Sequence, residues 1–359
     1  MSNRMSRRQF LKTSAVVAGG AALMASPVKT AHSQSVIKWR GQTCFPSTVA
    51  PYGPYKQGQT GLFAGLKQWC DMLSKRTNGR LVIEWAEPGA IVPITEIDKA
   101  VGQGVVQISY GMGSYFAGRI PETDIETGGI FFWEDEAQCY ECLHKYGLYK
   151  MLQKTYARHN IYWQPFHTNA IVGVGTMFPA PNPEAIKGKK LRTSGIWGEY
   201  VKMLGGTPVA IPWGDVYMGA KLGTIDGWVA GIAALEELKL KEVAKGAVIS
   251  PAPNNALCQL IINKTAYDKL PKDIQEILQN EAPHWAYAAS SHWRNQCLWV
   301  MHNAQKHYGA KIYRWSAEDT DRITKMAVET IYPKMAAKSA DCAEMIKVIT
   351  QQMKDYGRL

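Results

Sequence analysis

The 359-residue chain lacks the short motifs that carry common enzyme chemistry. It has no G-x-S-x-G elbow, no H-E-x-x-H helix, no P-loop and no G-x-G-x-x-G behind a strand. Sequence grounds for a serine hydrolase, a zincin, a nucleotide hydrolase or a dinucleotide-dependent dehydrogenase are therefore missing. Gly173-Val174-Gly175 lacks the third glycine and the following helix of a dinucleotide fold. The eight histidines are scattered, with no pair at ligand spacing beside acidic residues, so neither a metal nor a cofactor is expected. No basic cluster occurs, which excludes nucleic acid as the expected partner. No internal repeat or low-complexity segment occurs, and the one apolar run, residues 15–25, is too short and too rich in Gly and Ala for a membrane span. Cysteine is present but poorly organised. The seven stand at 44, 70, 139, 142, 258, 297 and 342, an odd number that leaves a thiol unpaired. Cys139-Tyr140-Glu141-Cys142 lacks the second pair of a zinc site, and its disulfide status stays open.

The N-terminus carries an export signal. Ser6-Arg7-Arg8-Gln9-Phe10-Leu11-Lys12 has the twin-arginine pattern, and the small residues of Ala31-His32-Ser33 suit signal-peptidase cleavage. Residues 1–33 are expected to be a twin-arginine signal peptide, with the mature chain starting near Gln34 in the periplasm. The leader holds five basic residues and no acidic one, so its removal lowers the formal net charge from +11 to +6. That surplus steers anions only weakly at physiological salt. The remaining length exceeds what a single hydrophobic core serves, which predicts two lobes. Twelve Trp and seventeen Tyr are unusual, and aromatics in such number can line an organic ligand's pocket as well as fill cores.

The strongest structural signal runs from Gly188 to Trp228. Lys189-Lys190-Leu191-Arg192-Thr193 is strand-like, a helix-length segment 197–204 closes at Gly205-Gly206, and Pro208-Val209-Ala210-Ile211 reads as a second strand. A helix over 215–222 and a third strand after Gly223-Thr224-Ile225-Asp226-Gly227 complete the order of a parallel α/β layer. Ligands of such layers sit at the carboxyl ends of the strands. Arg192 at a strand end, with the aromatic residues Trp197, Trp213, Tyr217 and Trp228 nearby, is the predicted binding centre. A guanidinium is a permanently charged planar fork that pairs with a carboxylate through two parallel hydrogen bonds.

Elsewhere the patterns predict a first strand from Ile37 and a loop from Phe45 to Tyr55 that faces a cleft. A helix over 61–75, a strand over 81–85 and a strand over 105–110 follow. The last runs into Gly111-Met112-Gly113-Ser114-Tyr115, which reads equally as a ligand-contacting turn and as a plain strand-to-helix turn. A helix over 137–155, a β-rich run over 161–176, a strand over 256–262, a long helix over 272–308 and a strand over 311–314 complete the pattern before the C-terminal helices. His167 is read as a structural histidine. Asn169 and Ser114 are candidate donors to ligand, and Phe45 is a candidate wall.

Several of these pieces resemble the periplasmic solute receptors of TRAP (tripartite ATP-independent periplasmic) transporters. The family's G-x-K-x-R strand is matched by Gly188 to Arg192, its L-G-x-x-P-V turn by Leu204 to Val209, and its E-V-Y-x-A-L-x-x-G-x-x-D-G segment by Asp215 to Gly227. Arg76-Thr77-Asn78-Gly79-Arg80-Leu81 is similar to the family's T-N-G-R turn, and Leu260-Ile261-Ile262-Asn263-Lys264 leading to Leu270-Pro271-Lys272-Asp273-Ile274-Gln275 gives a fifth match. The resemblance implies an α/β, two-lobed periplasmic-binding-protein-like fold, with hinge strands and a long helix spanning both lobes. Lobe one would hold residues 34–168 and 258–297, and lobe two 169–257 and 298–359. It implies a receptor, not an enzyme, that hands a small organic acid to TRAP permease subunits, as a monomer or a homodimer. Arg192 would bind the carboxylate, with Trp213, Trp228, Asn169, Tyr217, Ser114 and Phe45 around it. Two positions depart from the family. Some members carry a second arginine where Val172 stands, and an acidic residue that in some branches helps hold a cation is replaced by Val229. The second departure favours a ligand with an apolar or aromatic portion. A twin-arginine-exported periplasmic oxidoreductase and a ligand-sensing subunit for a sensor kinase are the alternative readings.

Overall fold

Eleven strands run through the described residues of a computed structural model, which are 35–47, 54, 61–169, 171–250 and 256–359. They are β1 (Ile37–Thr43), β2 (Leu81–Ala86), β3 (Ile108–Gly111), β4 (Ile161–Thr168), β5 (Val172–Thr176), β6 (Lys190–Thr193), β7 (Thr207–Ala210), β8 (Gly227–Gly231), β9 (Gly246–Ser250), β10 (Leu257–Asn263) and β11 (Lys311–Arg314). The leader and most of the loop over 48–60 lie outside the described residues. β2-β1-β3-β10-β4 form one sheet and β11-β9-β5-β8-β6-β7 a second. The segment that reads as strand, helix, strand, helix, strand supplies β6, β7 and β8, all mutually parallel.

The chain passes between the sheets three times, from β4 into β5, from β9 into β10 and, by way of the long helix, from β10 to β11. The β-rich run over 161–176 is thus two strands in two sheets. β10 is buried along its whole length because it lies between β3 and β4. β4 is an edge strand, so Pro165 costs no ladder bond on its unpaired side, and the pairing with β10 shifts register beside Cys258 and Gln259.

The long helix Lys272–Asn303 continues as a π-helical turn over Ala304–Tyr308 and stops at Gly309, whose φ is +67°. It packs along β4, where Ser290 Oγ accepts from the Thr168 backbone N–H at 2.8 Å. Its far end reaches the second sheet's side, where the Tyr308 hydroxyl meets Glu236. The helix expected over 137–155 is two helices, Glu136–His144 and Leu148–Ala157, because Gly147 between them takes a left-handed φ of +88°. The strand expected over 105–110 covers only Ile108–Gly111, since residues 105–107 belong to the preceding turn. All seven cysteines are free thiols and six are buried, Cys139 and Cys142 among them.

Everything after 298 was expected in the second lobe, yet the two terminal helices go different ways. Ala317–Ala336 packs against Trp197–Met203, with Lys334 Nζ 2.7 Å from Glu199. Ala340–Asp355 lies against Leu148–Ala157 and Glu136–His144 on the first sheet's side. Its buried stripe Cys342, Met345, Ile346, Ile349 and Met353 has helical spacing and needs an apolar partner, which that pair of helices supplies. Residues Ile37–Leu359 form one compact unit, and no helix among the described residues is long and apolar enough to cross a membrane.

Glycine allows several close approaches inside the second sheet, and Gly175 makes the tightest of them. A Cβ on Gly175 would sit 2.3 Å from the Trp228 indole across the β5–β8 pair. Gly175→Ala should therefore lower stability by about 1–3 kcal/mol through overpacking. Gly65→Ala, in an open helical position with nothing within 4 Å of the new Cβ, should raise it by about 0.5–1 kcal/mol. Urea midpoints test both, and a wild-type midpoint for Gly175→Ala would refute the packing.

Candidate ligand-binding site

Arg192 lies in the middle of the second sheet's parallel layer, paired in register with Val209 on one side and Trp228 on the other. Its side chain is only 3% exposed. Nε donates to the Ile211 carbonyl at 2.9 Å, Nη2 donates to the Tyr115 hydroxyl at 3.4 Å, and Cζ stands 5.6 Å from the Trp213 ring centre. Among the described residues no carboxylate pairs with it. A desolvated charge without a counter-charge is costly, and an incoming anion would satisfy it. Burial pushes the Tyr115 phenol up to about 12, against the pull of Arg192. The phenol therefore stays protonated, accepting from the guanidinium while keeping its own proton to donate.

Asn169 stands at the crossing between the sheets, with its backbone N–H on the Ala256 carbonyl. The Trp293 indole N–H donates to Asn169 Oδ1 at 2.6 Å. An indole only donates, so this contact fixes the amide's orientation and leaves its NH2 for the cleft that Asn169 lines. Gly231 has room for this amide only because it lacks a Cβ, which would lie 2.9 Å from Oδ1.

Between these groups lies a narrow cavity of about 10 Å³, the space of a single water-sized sphere. Of the candidate residues, Phe45, Asn169, Arg192 and Trp213 line it, as does Trp197. Ser114 stands one hydrogen bond behind, its Oγ donating to Ser194 Oγ at 3.2 Å. Trp228 shares the sheet face of Arg192, but its indole is spent filling the groove over Gly175. Tyr217 does not reach the cleft. Its helix, Val216–Lys221, buries Val216, Gly219 and Ala220, which turns Tyr217 outward onto Glu242 and Lys221.

Met112, Tyr115, Ser194 and Ala230 also line the cavity and were not singled out from sequence as site residues. A signal for each existed. Met112 and Tyr115 belong to the glycine-rich turn after β3, while Ser194 and Ala230 lie two residues beyond Arg192 and Trp228, on the same faces by strand alternation. The turn after β6 is clamped: Asp124 Oδ1 accepts from the Ile196 N–H at 2.9 Å, and Lys338 holds its other oxygen at 2.6 Å. Gly195, at φ +53°, passes so close to Asp124 that a Cβ would sit 2.5 Å from Oδ1.

Two buried titratable groups near the cleft are held neutral. His167 Nδ1 faces the Thr168 carbonyl at 2.9 Å and so carries the proton, leaving Nε2 to accept from the Tyr110 hydroxyl at 2.6 Å. Burial lowers its pKa to about 4, as suits a structural histidine. Glu126 lies beneath the glycine-rich turn, with Oε2 2.9 Å from where a Gly113 Cβ would be. Burial raises its pKa to about 8. The single Tyr156 hydroxyl proton serves Gln259 Oε1 at 2.8 Å, so the carboxyl proton of Glu126 makes the contact with the Tyr156 oxygen. Among the described residues no three His, Cys, Asp or Glu side chains gather as a metal set.

Comparison with known proteins gives the family and the fold. The family model for bacterial extracellular solute-binding proteins of family 7 matches residues 55–339, and a twin-arginine translocation signal model matches residues 4–24. The monocarboxylate 2-oxoacid-binding periplasmic protein of Nostoc sp. is 27% identical over 77% of this chain and 74% of its own length. Among solved structures, a TRAP transporter solute-binding protein of Bordetella bronchiseptica, found as a dimer with calcium and picolinate, superposes with a TM-score of 0.79. It is 20% identical, covering 90% of this chain and 93% of the other. A TRAP receptor of Pseudoalteromonas atlantica with bound sodium and pyruvate superposes at 0.76 and 22% identity, covering 90% and 95%.

The raised pKa of Glu126 has a consequence for stability. Between its ordinary value of 4.5 and about 8, the unfolded chain has lost the proton that the native state keeps. Stability should fall as pH rises through that window, by at most about 1.4 kcal/mol per pH unit for one proton. Glu237, also raised to about 8 by burial, adds a slope of the same sign. Glu126→Gln should thus flatten the decline of melting temperature between pH 5 and 8, and a slope identical to wild type would show Glu126 ionised in the native state.

Proposed function

Because the chain belongs to family 7 of the bacterial extracellular solute-binding proteins, we propose that its cleft closes on the carboxylate of a small organic acid, with Arg192 as the counter-charge. The chain is a TRAP-type solute receptor and not an enzyme, exported to the periplasm by the twin-arginine pathway. Receptors of this class bind small organic acids and deliver them to membrane permease subunits.

The observation that carries the proposal is the buried guanidinium of Arg192 with no carboxylate partner among the described residues. One edge of the fork is held by Ile211 and Tyr115, which fixes its plane before ligand arrives. A carboxylate would take the remaining N–H groups in parallel. The Tyr115 hydroxyl and the Asn169 amide NH2 add neutral donors, and Trp213 offers a flat apolar face. The Bordetella and Pseudoalteromonas receptors were found with calcium and sodium. The described lining residues here carry no carboxylate, and Val229 stands where the family's acidic residue would. These residues do not suit a cation, so Arg192 is the positive charge of the proposed site.

Closure is assigned to the passages from β4 into β5 and from β9 into β10. Residues 34–168 and 258–297 move as one lobe and 169–257 with 298–336 as the other, while the helix Ala340–Asp355 travels with the first lobe against which it packs. Ligand contacts from both sides of the cleft would drive the hinge.

Arg192→Ala should weaken binding of an organic acid found by thermal-shift screening by about two to three decades, the cost of removing one partner of a buried charge pair. Arg192→Lys should recover only part, since an ammonium lacks the planar fork. Calorimetric affinity within threefold of wild type for Arg192→Ala would sink the assignment. A homodimer is the proposed assembly, supported by the Bordetella dimer and by exposed Tyr287 and Leu298, eleven residues apart on one face of the long helix. Sedimentation should show twice the chain mass, and Leu298→Glu should return it to the monomer; a wild-type monomer at all concentrations would exclude it.

A further inference from the structure

Residues 122–127, Glu-Thr-Asp-Ile-Glu-Thr, are all buried, although five of the six are polar or acidic. Acidic side chains are almost never fully buried unless paired, and a buried polar group costs free energy unless it is hydrogen-bonded. Here the side chains are spent on different parts of the molecule. Thr123 Oγ1 donates to the Ile120 carbonyl at 2.8 Å and fixes the segment's own first turn. Thr127 Oγ1 accepts from the Ser114 backbone N–H at 3.1 Å, in the glycine-rich turn that carries Tyr115. Asp124 Oδ1 accepts from the Ile196 N–H in the turn after β6, and the Gly128 carbonyl accepts from the Trp197 indole at 3.4 Å. Ser114 Oγ and Ser194 Oγ, 3.2 Å apart, then join the two turns directly. Two turns that line the narrow cavity are thus held from one buried segment.

The same segment seats the C-terminal linker. Helix Ala317–Ala336 packs against Trp197–Met203, and helix Ala340–Asp355 packs on the first sheet's side, so residues 337–339 carry the chain between the two. Both polar side chains of that linker end on the segment. Lys338 Nζ lies 2.6 Å from Asp124 Oδ2, and Ser339 Oγ donates to Glu122 Oε1 at 2.6 Å. The Asp124 side chain is only 3% exposed, so without Lys338 it would be a buried carboxylate lacking its counter-charge. Gly195 allows the turn no slack, because a Cβ there would sit 2.5 Å from Asp124 Oδ1 and 2.9 Å from the Ser114 Cβ.

We infer that Asp124 is a positioning residue of the ligand site, which fixes the turn following Arg192 and couples that turn's order to the C-terminal linker through Lys338. One carboxylate serves both donors, so a shift of either is felt by the other. This rests on the reading of the cleft as the ligand site, which Arg192→Ala tests separately.

Hydrogen exchange of the ligand-free mature receptor, read by mass spectrometry, tests the coupling without any ligand. Each rate is read against that of β10, whose exchange follows global stability. Lys338→Met strands a buried carboxylate that must turn toward water, so exchange over residues 194–200 should quicken at least tenfold, as it should in Asp124→Ala. Asp124→Asn keeps an oxygen for the Ile196 N–H and has no charge for Lys338 to balance, so its exchange should stay within threefold of wild type. Lys338→Met added to Asp124→Asn should then change nothing further, a non-additivity that a general loss of stability does not produce. Wild-type exchange in Lys338→Met overturns the inference. So does the same acceleration by Lys338→Met with and without Asp124→Asn, or Asp124→Asn exchanging as fast as Asp124→Ala. Should Asp124→Ala fail to fold, the Lys338→Met comparison decides.

Discussion

A buried guanidinium with no carboxylate partner among the described residues is the constraint on which the proposed site depends. Arg192 cannot lose its charge, and its burial in the second sheet denies it water. The protein meets part of that cost internally, through the Ile211 carbonyl and the Tyr115 hydroxyl. In the proposed reading the rest is left for a ligand, and closure of the cleft and recognition of an anion are then the same event. Tyr115 comes from the first sheet's side and Ile211 from the second, so the arginine bridges elements of both. A fully satisfied arginine would have stabilised the empty protein and weakened its response to ligand.

The crossing segment links that site to the scaffold. Asn169 lies between β4 and β5, where the chain changes sheets, and the long helix holds it through Trp293. Ser290, one turn earlier on the same helix, holds the neighbouring Thr168 backbone. The helix thus fixes the backbone of the crossing and the orientation of the Asn169 amide with two residues. Neutral buried groups keep the first sheet's side quiet beneath it. His167 and Glu126 are both stripped of charge by burial, and the six buried thiols are held protonated, which leaves little thiolate for exchange in an oxidising compartment.

Receptor class and export were legible because each rests on local sequence. The twin-arginine leader, the parallel layer and the glycines that end its helices need only nearest neighbours along the chain. The place of Arg192 on a strand of the parallel layer was legible for the same reason, and the structure puts it at the cavity's wall. Even the length of the long helix followed from apolar spacing, ending one glycine after the pattern does.

What sequence could not decide was where each aromatic ring would point. Trp213 and Trp228 look equivalent along the chain, yet one lies over the guanidinium and the other over Gly175, a difference set by a glycine fifty residues away on a neighbouring strand. Tyr217 was lost to the outer face because helix rotation follows from which neighbours the sheet needs covered. The terminal helix joined the first side because its apolar stripe found partners there. Sequence alone determined the elements, the compartment and the charged group at the centre, since these depend on local backbone preference and residue chemistry. Only the tertiary structure decided which side chains share the cleft, because long-range packing chooses among faces that the chain's local pattern leaves equal.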